Sequence, residues 1–168
     1  MPAIPTTLLI DTSQIFASLY HLAAVIFGSQ GLANLSTGDD RDEFDRLRVR
    51  HETGQATKLL IETAVVLRNF IDSGNWPRDV IHESRIERRP ETNVGTIKKG
   101  NEKIINLDFR EACNKIIHAK HISFGLSDNT ERLRHLNGVV KLHGDRQSKE
   151  WVAEIILADF IRMAVRQL

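Results

Sequence analysis

The chain has 168 residues, of which 41% are hydrophobic and 27% charged, and its formal net charge is +1. These values are typical of one soluble globular domain, which is large enough to bury a core without disulfides or structural metal. The near balance of charge argues against a surface that attracts nucleic acid everywhere, although it leaves room for a local basic groove. Because Cys113 is the single cysteine, an intrachain disulfide is excluded, and we expect a cytoplasmic protein.

The N-terminal segment predicts a buried helix rather than a membrane span. The first fourteen residues lack the basic region and cleavage site of a signal peptide. Between positions 11 and 39 there is no Asp, Glu, Lys or Arg, so the run is long enough to cross a bilayer. Its polar residues dilute the apolar content, however, and no basic cluster flanks it. We therefore expect no membrane partner, and a central helix that begins near residues 11–13, runs through Phe27 and is capped near residues 28–31.

A second long helix is predicted over residues 42–73. Its first half is charged and should be exposed, whereas its second half is apolar enough to join a core. Gly54 lies between the halves and either divides or kinks the helix.

Residues 74–106 lose the helical period and carry seven Lys or Arg residues. We expect a short helix after Pro77 and a strand near Val94–Ile97. Two interpretations stay open for the rest, a solvated loop or a ligand-binding one. In the second case the candidate RNA contacts are Arg88, Arg89, Lys98 and Lys99.

The C-terminal third predicts one helix, a hairpin and a final helix. "DFRE" at 108–111 has the pattern of a capping box and begins a helix that extends to His121. "HISFGL" is typical of a strand, and the segment 138–157 reads as two strands around "GDRQSK", although a single helix from Ser148 to the end is also possible. The predicted fold class is thus mainly α: a bundle of about four major helices over residues 11–121, with a small C-terminal antiparallel β-hairpin plus final helix over 122–168, forming one domain.

The helix at 108–121 separates into an apolar face and a polar arc when residues advance about 100° each. The apolar face has the spacing of a helix docked on a core and consists of Phe109, Ala112, Cys113, Ile116 and Ile117. The polar arc borders this face and consists of Arg110, Asn114, His118 and His121. Glu111 and Lys115 point elsewhere, and we expect them in solvent.

The polar arc contains the groups that metal-independent RNA cleavage needs. An imidazole such as His118 can act as general base or acid, with His121 as a second candidate. Arg110 can clamp a phosphate, and Asn114 can orient the imidazole. The ordinary alternative is that these residues hydrogen-bond neighbouring helices or water.

"CNKIIH" at 113–118 resembles the signature motif of the HEPN superfamily, which comprises small helical-bundle proteins of bacterial toxin-antitoxin and antiphage systems. Asn114 and His118 match the polar position and the histidine of that motif. Cys113 stands where the family has Arg, and a thiol cannot supply a permanent cation. The resemblance covers one helix and the helical character of about the first 120 residues.

The resemblance implies two possible functions. If Arg110 replaces the missing cation, the chain is a ribonuclease of a defence or toxin module that acts without metal or cofactor. If it does not, the chain is a non-catalytic relative that binds RNA, or a dimerisation or adaptor module that binds a protein partner, for example one encoded by an adjacent gene. The resemblance also implies a homodimer, because active members join their motifs across a dimer interface.

The other residue patterns in the sequence predict no metal site and no catalytic site. His118 and His121 form an H-x-x-H pair, but a third metal ligand would have to come from a distant histidine. Cys113 and His118 diverge by about 140° around the helix, which excludes a paired nucleophile and base. Basic residues near Trp151 suit RNA contact, but they are equally the outward side of an ordinary hairpin, and we interpret the tryptophan as a core anchor.

Overall fold

The computed structural model describes residues 12–37, 42–73, 93–127 and 134–168. The short helix that we predict after Pro77 lies outside these ranges, as do Arg88 and Arg89. Four helices and five strands occupy the described residues.

The two long helices, α1 (Thr12–Leu35) and α2 (Glu43–Asp72), pack against each other. The predicted end of α1 is wrong, because the helix continues past Gly28 and Gly31 to Leu35. A glycine inside a helix costs about 1 kcal/mol, which packing on neighbouring elements offsets. Gly54 likewise neither ends nor divides α2.

The predicted fold class is wrong, because the chain is an α+β protein and not a helical bundle with a small hairpin. A five-stranded antiparallel sheet has the order β2-β1-β5-β4-β3. Its strands are β1 (Asn93–Lys99), β2 (Ile105–Asp108), β3 (His121–Leu126), β4 (Leu136–Arg146) and β5 (Lys149–Ile156). The error arose in the stretch interpreted as a loop, since β1 is longer than predicted and β2 is new.

Long-range pairing explains why the full extent of β1 is hard to predict. Gly95 of β1 pairs with Ile155 of β5, which lies far along the chain, and a window of neighbouring residues contains no signal of that partner. The β4–β5 hairpin is instead closed by a two-residue turn at Gln147 and Ser148, whose φ values are 52° and 63°. This hairpin is confirmed, and a single helix from Ser148 is excluded.

Two short helices, α3 (Phe109–Ile117) and α4 (Leu157–Gln167), follow β2 and β5 directly. Every second residue of β5 points into the core that the sheet shares with the long helices. Trp151 is one of these buried residues, as predicted. Gly144 lies so close to the Trp151 ring that a side-chain carbon there would overlap it. The other alternate residues, such as Val152 and Glu154, are exposed on the outer face of the sheet.

A buried polar contact fixes how α1 is rotated on the rest of the molecule. Ser29 is fully buried; its Oγ donates to Glu52 of α2 at 3.0 Å and accepts from the backbone nitrogen of Leu136 at 3.0 Å. Glu52 also accepts from Arg48 at 3.2 Å, and Arg48 donates to the Arg134 carbonyl. Because these groups are satisfied only in this arrangement, the opposite side of α1 is turned outward.

Among the described helices, Ser13–Leu35 of α1 is long and apolar enough to cross a membrane by length and composition alone. Core helices of soluble proteins and signal sequences near an N-terminus meet the same criterion, and 28% of the apolar stretch of α1 is buried inside the structure.

Candidate functional site

Helix α3 is shorter than predicted and docks on the core by the predicted face. Asp108 caps it, since its Oδ1 accepts from the Glu111 backbone nitrogen at 2.8 Å. Phe109 stacks near Phe160 of α4, with ring centroids 5.0 Å apart. The helix ends at Ile117 and β3 begins at His121, so the predicted extension of the helix to 121 is wrong.

Cys113 lies in the middle of the buried face. Burial raises the pKa of its thiol to about 12, and the positive charge of Arg68 only partly opposes this effect. The thiol is therefore protonated at neutral pH, as expected of an inert core cysteine rather than a nucleophile.

Arg110 points toward α2 and pairs with a carboxylate there. Its Nη2 lies 3.1 Å from Oδ1 of Asp72. Arg68, one turn before Asp72 on α2, pairs with the same carboxylate. One acid thus joins two guanidinium groups from two helices.

Asn114 uses both ends of its amide beside this pair. Its Oδ1 accepts from Nε of Arg68 at 2.6 Å, and its Nδ2 donates to Oε2 of Glu111 at 3.2 Å. The α2–α3 ion network is the name we give to these five residues: Arg68, Asp72, Arg110, Glu111 and Asn114. Its members from α2 were not predicted, although Arg68 and Asp72 have the i, i+4 spacing of a helical ion pair.

The prediction that Glu111 and Lys115 lie in solvent is wrong, because Lys115 is buried and Glu111 is partly buried. Lys115 is 7% exposed. Its Nζ lies 3.1 Å from Oε1 of Glu111 and 4.5 Å from the centroid of the Trp151 ring. The carboxylate and the ring face together stabilise the buried ammonium group.

The two carboxylates of the α2–α3 ion network are held in their charged form. Burial raises the pKa of Asp72, but hydrogen bonds and charge from Arg68 and Arg110 outweigh it, and the pKa lies below its ordinary value of 3.8. Burial likewise raises the pKa of Glu111, while Asn114 and Lys115 bring it below 4.5. Both acids are therefore ionised wherever the protein is folded near neutral pH.

The two histidines are separated from the network and from each other. His118 caps the end of α3, where its backbone nitrogen donates to the Asn114 carbonyl at 3.0 Å, and it is exposed. His121 lies on β3 with its ring centroid 6.0 Å from that of His143 on β4. The predicted polar arc is thus divided. Arg110 and Asn114 bind residues of the α2–α3 ion network, His118 is an exposed imidazole at the end of α3, and His121 lies on the sheet.

Two of the four basic candidates for RNA contact lie on the sheet, and the other two are outside the described residues. Lys98 and Lys99 are exposed on β1. On the outer sheet face, Lys141 pairs with Glu154 at 3.7 Å, so part of the positive charge is neutralised. Within the described ranges, no group of three or more His, Cys, Asp or Glu side chains is arranged to hold a metal ion.

The outer side of α1 is an unexpected surface. Helix α1 carries no charged residue over its 24 positions, and we predicted it to be buried on most sides. One side is instead exposed, with Tyr20 at 72% and Phe27 at 51% of their surfaces. We call this side the α1 outer face; its exposed apolar and small residues are Phe16, Ala17, Tyr20, Ala24, Phe27, Gly28, Gly31 and Leu35, and the polar residues Ser13, His21 and Asn34 are exposed among them.

Comparisons of the chain with protein-family models, with curated proteins and with solved structures find no match. The likeness of residues 113–118 to the HEPN motif therefore stays a prediction.

Proposed function

We propose that the chain is a non-catalytic interaction module that binds a protein partner through the α1 outer face. The observation that carries this proposal is the exposure of aromatic side chains on a helix without any charge. Tyr20 alone exposes 72% of its surface.

Such a face is unusual for a helix in contact with water. Exposed helix faces normally carry charged residues, as α2 does where Lys58 and Glu62 lie 3.9 Å apart and are both exposed. Contiguous exposed apolar patches mark interaction surfaces, and Tyr and Phe are enriched in the centres of protein interfaces. The α1 outer face extends along about 30 Å, the length of the 20 helical residues from Phe16 to Leu35.

The contacts made by the residues of the polar arc also support a non-catalytic function. Arg110 and Asn114 bond to protein groups, Asp72, Arg68 and Glu111, in the α2–α3 ion network. A phosphate would have to displace Asp72 from Arg110 before the guanidinium could bind it. Metal-independent RNA cleavage by His118, Arg110 and Asn114 stays a prediction, and it has less support because two of its three groups act between helices.

Photocrosslinking tests the proposal directly. Benzoylphenylalanine replaces Tyr20 in the full chain expressed in its native host, and in a matched chain it replaces Val49, an apolar α2 residue that is 78% exposed. We expect light-dependent crosslinks from position 20 to a protein, and far fewer from position 49. Equal crosslinking to protein from the two positions would contradict the proposal. The absence of any protein crosslink from position 20 would contradict it as well.

A nuclease assay tests the alternative. Pure wild-type protein and His118→Ala protein are incubated with tRNA and single-stranded RNA in EDTA. We expect neither to cleave RNA above buffer. Cleavage by the wild type that His118→Ala abolishes would replace the proposed function with the catalytic one.

A further inference from the structure

We infer that His121 and His143 form a two-ligand site for a divalent transition-metal ion such as Zn²⁺. The site lies on the outer face of the sheet, where both side chains are exposed. It is separate from the α1 outer face and needs no protein partner, so the inference goes beyond the proposed function and does not rest on it.

The strand register brings the two histidines together. His121 of β3 lies directly opposite His143 of the neighbouring antiparallel strand β4. Residues in such opposite positions point to the same face of a sheet, with their β-carbons about 4.5–5.5 Å apart. Leu142 and Gly144, on either side of His143, are buried, whereas both histidines are exposed. Both imidazoles therefore stand side by side on the solvent-facing side of the sheet.

The distance between the rings suits a shared metal ion. Their centroids are 6.0 Å apart, and the ring planes are inclined by 54° and so are not stacked face to face. Because a Zn²⁺–nitrogen bond is about 2.0–2.1 Å long, two imidazoles on one tetrahedral ion have centroids about 5 Å apart. The remaining difference of about 1 Å requires only a small rotation of two exposed side chains.

Both imidazoles are free to bind a ligand. Among the residues that the structure describes, no protein group hydrogen-bonds to the ring of His121 or of His143. His135 shows the contrast, since its Nδ1 lies 3.0 Å from Oγ of Ser127. A neutral imidazole presents one nitrogen lone pair, which is the group that coordinates a metal ion.

The positive charges beside the pair are compensated. Lys120 precedes His121, and its Nζ lies 2.6 Å from Oδ2 of Asp145. Lys141 lies two residues before His143 on the same face, and its Nζ is 3.7 Å from Oε2 of Glu154. Because each ammonium group has a carboxylate partner, a divalent cation between the histidines meets less repulsion than the lysines alone would exert.

The ligand set defines the class of metal. Imidazole nitrogen suits Zn²⁺, Cu²⁺ and Ni²⁺, whereas Mg²⁺ and Ca²⁺ prefer oxygen ligands. No group of three or more His, Cys, Asp or Glu side chains is arranged around a metal position in the described part of the chain. Two imidazoles therefore supply the protein ligands and water supplies the others, so the ion is exchangeable rather than enclosed as in a structural zinc site.

The bound ion would join an edge strand to its neighbour. Strand β3 lies at one end of the sheet order and pairs with β4 on one side. The two histidines are held together only when these strands pair, so the ion binds the folded chain more tightly than the unfolded one. Binding of this kind stabilises the native state.

Calorimetric titration with Zn²⁺ at pH 7.5 tests the site. We expect one ion per chain for the wild type. His121→Ala and His143→Ala should each weaken binding by at least the roughly tenfold that loss of an outer partner of a metal ligand costs. The double variant should resemble the single ones, because one imidazole alone cannot chelate.

His118→Ala is the matched control. His118 is exposed and forms the H-x-x-H pair with His121 in the sequence, but it lies at the end of α3. Its removal should leave Zn²⁺ binding unchanged. Circular dichroism verifies that all variants fold.

The outcomes of the titration decide the inference. Equal binding by wild type and His143→Ala would overturn it. A loss with His118→Ala as large as that with His143→Ala would assign the ion to the pair along the sequence and overturn it as well. Half an ion per chain would place two copies on one ion, which contradicts a site within a single chain. Mg²⁺ binding as tightly as Zn²⁺ would indicate carboxylate ligands and count against the histidines.

Urea unfolding provides a second test. The unfolding midpoint of the wild type should be higher with Zn²⁺ than with EDTA, and that of His143→Ala should be the same in both. A wild-type midpoint that does not rise at a Zn²⁺ concentration that saturates the titration would show that the unfolded chain binds the ion equally well. This result would overturn a site built by the pairing of β3 with β4.

Discussion

Asn114 joins two helices through both ends of one amide. Arg68 donates to its oxygen at 2.6 Å, and its nitrogen donates to Glu111 at 3.2 Å. A partly buried group with charged partners at both ends is more valuable to stability than an exposed one, because its loss leaves those partners without a hydrogen bond.

We expect Asn114→Ala to lower the free energy of unfolding by about 1–3 kcal/mol. His118→Ala is the control, since an exposed side chain at a helix end should change it by less than about 0.5 kcal/mol. Urea unfolding followed by circular dichroism measures both. Equal destabilisation by the two substitutions would contradict the structural role of the α2–α3 ion network.

The network also predicts how stability depends on pH. The pKa values of Asp72 and Glu111 are lower in the folded chain than their ordinary values of 3.8 and 4.5. The unfolded chain therefore binds protons first as pH falls, and the stabilisation present above about pH 5 is lost progressively as pH drops through the ordinary values and then the folded ones.

Asp72→Asn should make this loss smaller, because it removes one of the two acids. Unfolding midpoints of wild type and variant, measured between pH 7 and pH 3, should converge at the acidic end. Glu62→Gln, an exposed α2 variant, controls for the loss of a negative charge. A wild-type curve that is flat down to pH 3 would show that the network contributes little.

The sequence predicted the inward residues of α3 better than the partners of its polar ones. Helical spacing placed Cys113 and Ile116 in the core, because periodicity depends only on neighbours within one helix. It also grouped Arg110 with Asn114. It could not reveal Arg68 and Asp72, since these residues approach only when α2 and α3 pack, and it placed His121 on a helix that in fact ends at Ile117.

The turn between β4 and β5 shows what local signals can establish about an element. Gln147 and Ser148 both have positive φ, as a two-residue type I′ turn requires. Neither residue favours this conformation, and yet the hairpin was predictable because apolar strands flank a short polar segment. The strand predicted near Val94–Ile97 is confirmed as part of β1, whereas β2, which pairs with β1 across a short connection, was not predicted.

Replacing this turn with Asn-Gly should stabilise the chain. The double variant Gln147→Asn, Ser148→Gly removes the steric cost of two left-handed residues, and we expect a gain of about 1 kcal/mol. Thermal unfolding at fixed protein concentration measures the gain. Gly100, which has φ of 51° on an exposed turn, gives the opposite control, because Gly100→Ala should destabilise the chain.

At the scale of the whole molecule, the core lies between one sheet face and the helices. Ser29 and Glu52 fix α1 so that Leu19 and Leu22 enter the core while Tyr20 points outward. Sequence periodicity could not foresee this arrangement, because α1 is apolar on nearly all sides and thus has no polar face to indicate the direction of solvent. The absence of charge on α1 indicates an interaction surface only once the structure shows which side of the helix is buried.

The rotation of α1 on the rest of the molecule predicts opposite effects of two substitutions on this helix. Leu22 is fully buried, so Leu22→Ala should lower the free energy of unfolding by about 2–5 kcal/mol, because it leaves a cavity between the long helices and the sheet. Tyr20 exposes 72% of its surface, so Tyr20→Ala should change the free energy of unfolding by less than about 0.5 kcal/mol. Urea unfolding followed by circular dichroism measures both values. Equal destabilisation by the two substitutions would contradict the assignment of Tyr20 to the outward side of α1.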